Sequence, residues 1–155
     1  MKSILRLVAC GICESLQEPK PYVPILSMSS NEVSTELLDL GVKSMHPCLL
    51  DAGQDYYYTT DEGWAEVFNY VYCTFKMPKY IAARMDCEDF GILLKGLVSA
   101  LFGFNYFALT IGDIPKGRHG FNFFRDQNGH MVIEPQTANY FVWGDRYYEP
   151  EDYLL

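Results

Sequence analysis

Residues 86–103 read Asp-Cys-Glu-Asp-Phe-Gly-Ile-Leu-Leu-Lys-Gly-Leu-Val-Ser-Ala-Leu-Phe-Gly. Phe90, Leu93, Leu94, Leu97, Val98 and Leu101 recur at the spacing of one helical face. Asp86 is the expected N-cap, with Asp89 three residues on as its partner in a capping box, and Gly103 is the stop. Gly91 and Gly96 weaken such a helix by roughly 1 kcal/mol each relative to alanine, so both are expected where another backbone passes close. A thiol, Cys87, therefore stands at the start of an otherwise apolar helix.

Outward from this helix the pattern changes from helical to alternating. Tyr106 to Ile111 reads as a strand, as does His119 to Phe124, with Phe121 and Phe123 on one face and Asn122 and Phe124 on the other. Asp126-Gln127-Asn128-Gly129 reads as a hairpin turn, Met131 to Glu134 as the returning strand and Tyr140 to Trp143 as a further strand. Upstream, helices are predicted over Asn31 to Leu40 and Asp61 to Phe75, the second carrying Trp64, Val67, Phe68, Val71, Tyr72 and Phe75 on its buried face. His46 to Tyr58 has no clear period and reads as loop, and Tyr147 to Leu155, aromatic and acidic, is expected to lie on the surface or to pack across the sheet. Residues 1–25 are expected to hold a short N-terminal helix and a proline-rich connection through Pro19, Pro21 and Pro24. Helices first and an antiparallel sheet afterwards define an α+β domain, a single one over 1–155.

Charge and composition narrow the function. Twelve basic against 20 acidic residues give −8, the wrong sign for a phosphate backbone, so no nucleic acid partner is expected. Apolar runs are too short for a membrane span and no clear signal peptide opens the chain, so a cytoplasmic location with no membrane partner is expected. Five cysteines at 10, 13, 48, 73 and 87 leave at least one unpaired and favour a reducing compartment. Cys10-Gly11-Ile12-Cys13 is a lone pair, with His46 and Cys48 poor complements for zinc.

The chemistry sits in Cys87, His119 and Glu134. A thiol needs a base to become thiolate, and the base needs an acceptor that fixes its tautomer. Counted back from Asn128-Gly129, His119 and Glu134 fall at neighbouring strand ends, roughly level, whereas His130 lies beside the turn and is too far away to be the base. The helix start favours thiolate, but Asp86, Glu88 and Asp89 oppose it. The backbone N–H of Cys87 is the natural first oxyanion donor, and Gln54, Tyr58 and Tyr80 are candidates for the second.

Three short segments carry a family resemblance. Asp86-Cys87-Glu88-Asp89-Phe90, with Lys95 on the same helix, resembles the nucleophile helix of bacterial transglutaminase-like cysteine proteinases. His119-Gly120-Phe121-Asn122 is similar to the His-strand of the wider transglutaminase-like superfamily. Ile133-Glu134-Pro135-Gln136-Thr137 resembles its acidic strand, with Glu in place of Asp. The resemblance implies a papain/transglutaminase-like fold, with the nucleophile helix packed on a C-terminal antiparallel sheet and Cys87, His119 and Glu134 as the triad. It implies a thiol-dependent hydrolase or acyltransferase, a cysteine protease or amidase acting on an amide or peptide bond of a protein or peptide substrate. No cofactor is required, although Asp86 and Glu88 become candidate calcium ligands. The alternative is a catalytically inactive form of the same fold serving as a binding or structural module, with the tyrosines at 56–58 and 140–148 marking a partner or carbohydrate surface.

Overall fold

The structure is a computed structural model that describes residues 19–42, 44–45, 53–82, 84–114, 117–144 and 149–154. The expected N-terminal helix, the pair Cys10 and Cys13, and His46 with Cys48 lie outside the described residues.

In chain order the elements are β1 (Leu26–Ser29), α1 (Ser30–Asp39), β2 (Ser44–Met45), β3 (Asp55–Tyr58), α2 (Asp61–Thr74) and α3 (Cys87–Phe102). They are followed by β4 (Phe107–Ile114), β5 (Gly117–Arg125), β6 (His130–Glu134), β7 (Asn139–Val142) and β8 (Glu149–Leu154). Strands β1 and β3 form a two-stranded antiparallel sheet. The larger sheet has the order β2-β8-β4-β5-β6-β7; β2 runs parallel to β8 and the remaining pairs are antiparallel.

The expected succession, helices and then one antiparallel sheet, is thus corrected. Among the described residues strands interleave with the first helices, there are two sheets, and the larger one is mixed. Residues 26–29, just past the proline-rich connection and assigned to no element, pair with 55–58, which read as loop. Residues 149–154, expected on the surface or across the sheet, are a strand of the sheet itself, between β2 and β4.

Local chemistry explains the helix ends. Ser29 caps α1: its Oγ accepts the Glu32 N–H at 3.3 Å, and Glu32 Oε2 takes the Ser29 N–H at 2.8 Å. Thr60 caps α2 by accepting the Gly63 N–H at 3.1 Å. Asp86 caps α3, Asp89 takes its backbone N–H at 3.3 Å, and Gly103 closes the helix with φ of 74°.

Trp64 on α2 is the hub of the core. Its ring stacks on Phe68 and lies against Phe104, Phe107 and Phe124 at centroid distances of 4.8–5.4 Å, and its Nε1–H donates to the Arg125 carbonyl at 2.6 Å. One side chain thereby joins α2 to β4 and β5.

Helix α3 lies across β4 and β5. Gly91 is needed for that approach, because a Cβ there would come within 2.5 Å of Leu109 Cδ1. Gly96 is not, since a Cβ there meets nothing within 4 Å. On the same helix the Lys95 ammonium donates to the Phe107 carbonyl at 2.9 Å, and burial pushes its pKa down to about 8 from the ordinary 10.5. The folded protein therefore binds this proton less tightly than the unfolded chain does. Stability should rise with pH between about 8 and 10.5, as the unfolded chain gives up the proton that the folded one has already lost. Lys95→Met is expected to stabilise the protein at pH 7 by about 1–3 kcal/mol and to flatten that rise, as measured by urea unfolding across the pH range.

Candidate functional site: a thiol at the start of α3

The site is assembled where the first turn of α3 crosses β5. The contact is backbone on backbone: a Cβ on Gly120 would stand 2.9 Å from Glu88 N, 3.0 Å from Glu88 Cα and 3.2 Å from the Cys87 carbonyl carbon. Only glycine lets the helix start sit this close to the strand. Two residues along the same face of β5, the fully buried Asn122 fixes the approach. Its Nδ2 donates to the Gly91 carbonyl on α3 and to the Ala108 carbonyl on β4, both at 3.0 Å. Neither Gly120 nor Asn122 stands among the candidate site residues of the sequence reading. The signal was present in the alternation of β5, which puts Gly120, Asn122 and Phe124 on the face that meets the helix.

The close approach brings the Cys87 thiol to the peptide linking His119 and Gly120. Sγ is within hydrogen-bond reach of the Gly120 and Glu88 N–H groups and donates to Glu88 Oε2 at 3.2 Å. The pKa of the thiol is raised: partial burial pushes it up, as does the Glu88 carboxylate, and the two N–H groups offset only part of this. The resting thiol is therefore protonated at neutral pH.

His119 Nε2 lies 2.6 Å from Glu134 Oε2, and both side chains are largely covered, at 17% and 15% exposure. The hairpin places them diagonally rather than level. Asn122 pairs with Ile133, so the register carried one step further sets Glu134 opposite Phe121, two residues from His119. Diagonal neighbours are roughly 7–8 Å apart at Cα. Glutamate spans that gap with one methylene more than the aspartate of the resembled motif. Glu134 Oε1 also takes the Gln136 N–H at 3.4 Å, and Tyr72 Oη donates to the adjacent Pro135 carbonyl at 2.7 Å, which holds the strand end in place.

The flanking acids divide their roles. Glu88 is held below its ordinary range by its own backbone N–H, by hydrogen bonds from Cys87 and Asp86, and by His119. The Asp86 carboxyl is pushed up by desolvation and by Glu88 and Asp89. Among the described residues no three His, Cys, Asp or Glu side chains gather to hold a metal ion, so the candidate calcium ligands Asp86 and Glu88 stand as a pair without a third.

Of the oxyanion candidates, Tyr80 is exposed and lies next to a tight turn in which the Ile81 N–H donates to the Met85 carbonyl at 3.0 Å, just ahead of Cys87. The Gln54 carbonyl accepts the Ser30 N–H at the start of α1, and Tyr58 packs on Tyr106 and under Arg125. His130, excluded as the base, is tied to Glu36 at 3.0 Å and to the Tyr106 hydroxyl at 3.3 Å.

Comparison with known proteins corrects the family assignment. No family model and no curated protein matches this chain. Solved structures do match. One is described as a "PSL1a-E64 complex", with a TM-score of 0.68, 21% identity, and coverage of 84% of this chain and 51% of that one. Another is the Polyporus squamosus lectin bound to the human-type influenza-binding epitope Neu5Aca2-6Galb1-4GlcNAc, with a TM-score of 0.64, 19% identity, and coverage of 84% and 50%. The chain spans about half the length of these structures, and the likeness is one of fold. The transglutaminase-like assignment, the papain/transglutaminase-like fold class and the description as a cysteine protease or transglutaminase are therefore overturned. The fold, with three helices and two sheets among the described residues, is similar to that of these solved structures. The three segments that carried the resemblance amount to a helix start and two strand ends, and they do not determine the fold around them. No helix of the described residues is long and apolar enough to cross a membrane.

Proposed function

We propose that the chain is a thiol-dependent hydrolase acting on an amide bond, with Cys87 as nucleophile, His119 as base and Glu134 as the group that orients His119. One observation supports this above all others. The thiol reaches the Gly120 N–H, while the neighbouring residue, His119, is locked to Glu134 at 2.6 Å. With Nε2 committed to Glu134, Nδ1 of His119 would take the thiol proton. The sulfur would attack the carbonyl carbon, and the Cys87 N–H at the helix start would stabilise the oxyanion. His119 would then return the proton to the leaving amine, giving a thioester. Water, deprotonated by His119, would release the acid and the free thiol. A protonated resting thiol fits this order of events, in which the base acts only when a carbonyl is in place. One matching structure is described as a complex with E64. The experiment is hydrolysis of a panel of acyl-amide substrates by the protein and by its Cys87→Ala variant. Turnover lost in the variant upholds the reading; turnover unchanged by it refutes the reading.

A second reading is a carbohydrate-binding module, supported by the lectin match with its bound trisaccharide. Binding of that trisaccharide that is unaffected by Cys87→Ala, together with no thiol-dependent turnover, would favour it. The matches give no support to the expected protein or peptide substrate.

A further inference from the structure

Glu134 ends β6, and residues 134–138 turn the chain into β7. The Glu134 carbonyl accepts two N–H groups of this turn, from Thr137 at 3.2 Å and Ala138 at 2.9 Å, and its Oε1 accepts the Gln136 N–H at 3.4 Å. Ala138 closes the turn at a φ of 59°, the one non-glycine residue in the left-handed region among the described residues. Alanine disfavours that backbone, which persists only where the surroundings over-determine it. The turn is therefore held in one shape, and Glu134 with it.

The restraint from outside the turn comes from α2. Trp64, Phe68 and Tyr72 recur every four residues on one face of that helix. Trp64 and Phe68 fill the core, and Tyr72 packs at its edge one turn further on. From there its hydroxyl donates to the Pro135 carbonyl at 2.7 Å. Pro135 is buried, and a buried carbonyl without a donor is costly, so the bond is one the turn cannot cheaply give up. Burial and the nearby Glu134 carboxylate both push the Tyr72 phenol above its ordinary range, so the hydroxyl keeps its proton and stays a donor.

We propose that Tyr72 is a positioning residue for the thiol chemistry: through the Pro135 carbonyl it fixes the turn that carries Glu134, and so sets the carboxylate on His119. The proposal rests on the reading of Cys87, His119 and Glu134 as the reacting group. Tyr72 touches no reacting atom. It keeps Glu134 Oε2 at 2.6 Å from His119 Nε2, which leaves Nδ1 for the thiol proton. A shift of the turn by about 0.5 Å is enough to loosen so short a bond.

The test is Tyr72→Phe, which keeps the ring against the core and removes only the hydroxyl. Tyr106→Phe is the control. It also removes the hydroxyl of a buried ring, one that donates to Glu36 at 3.4 Å, but level with the far end of β5 from His119. Two quantities are read: the low-field proton resonance of the His119–Glu134 hydrogen bond, recorded on the protein alone, and the rate at which p-nitrophenyl butyrate acylates Cys87. Tyr72→Phe is expected to move the resonance upfield, to broaden it through faster exchange, and to slow acylation about tenfold. Tyr106→Phe is expected to change neither, whatever it does to the unfolding midpoint. An unchanged resonance or unchanged acylation in Tyr72→Phe would overturn the proposal, as would the same changes in Tyr106→Phe. A resonance that shifts in Tyr72→Phe while Cys87 is acylated equally fast with and without His119 would instead overturn the catalytic reading, and would leave Tyr72 a brace of the turn alone.

Discussion

Gly120→Ala is expected to destabilise the protein by about 2–3 kcal/mol and to abolish whatever chemistry Cys87 performs. The added methyl would stand 2.9–3.2 Å from three backbone atoms of the first turn of α3, and backbone cannot rotate aside as a side chain can. The helix start must therefore lift from β5. Two things move with it: the thiol leaves the Gly120 N–H, and the Asn122 clamp to Gly91 stretches. A domain of this size loses roughly 2–4 °C in Tm per kcal/mol, so thermal unfolding should shift down by about 5–10 °C. Gly96→Ala is the control. It lies on the same helix with open space around it and should be neutral or gain up to about 1 kcal/mol through helix propensity. Equal effects of the two substitutions would show that close approach at Gly120 is not what seats the helix.

His119→Ala should lower thiol-dependent turnover by roughly 10²–10⁴-fold with the fold intact, because it removes the general base but only a partly exposed ring. The pH profile carries the sharper signature. Burial and the Glu88 carboxylate hold the Cys87 thiol above its ordinary range, so without a base its reaction with a small alkylating agent should climb only at alkaline pH. Glu88→Gln removes the charge that disfavours thiolate, so the midpoint of that climb should move to lower pH. A midpoint unchanged by Glu88→Gln would mean that the carboxylate at 3.2 Å does not govern the thiol. Glu134→Gln keeps the size of the side chain but loses the charge that steadies His119, and should cost turnover less than His119→Ala does.

What could be read from the sequence was what is local. The cap at Asp86, the stop at Gly103 and the Asp126–Gly129 turn each depend on a few adjacent residues, so spacing reveals them. The pairing of His119 with Glu134 follows from that turn, although the level arrangement expected from counting became a diagonal one. Pairings between distant short segments were not legible. Leu26–Ser29 and Asp55–Tyr58 carry no alternation long enough to mark a strand, and their partner is each other. Glu149–Leu154 is acidic and carries a proline, yet it fills the gap between β2 and β4, where the neighbours, not the propensity, make it a strand. The family assignment failed for a related reason. A cysteine at a capped helix start, a His-Gly strand and a Glu-Pro strand end satisfy local geometry, and none of them encodes the order β2-β8-β4-β5-β6-β7. Gly120 shows the reverse case, a single residue whose meaning appears only once the helix is seen to lie on it.

The most direct measurement is intact-mass analysis after brief exposure to p-nitrophenyl butyrate, with the modified residue mapped by peptide digestion. The account predicts one butyryl group, carried as a thioester on Cys87, absent in Cys87→Ala and formed far more slowly in His119→Ala. Acylation of Cys73 or of lysines instead, or a Cys87 adduct formed at the same rate without His119, would contradict it.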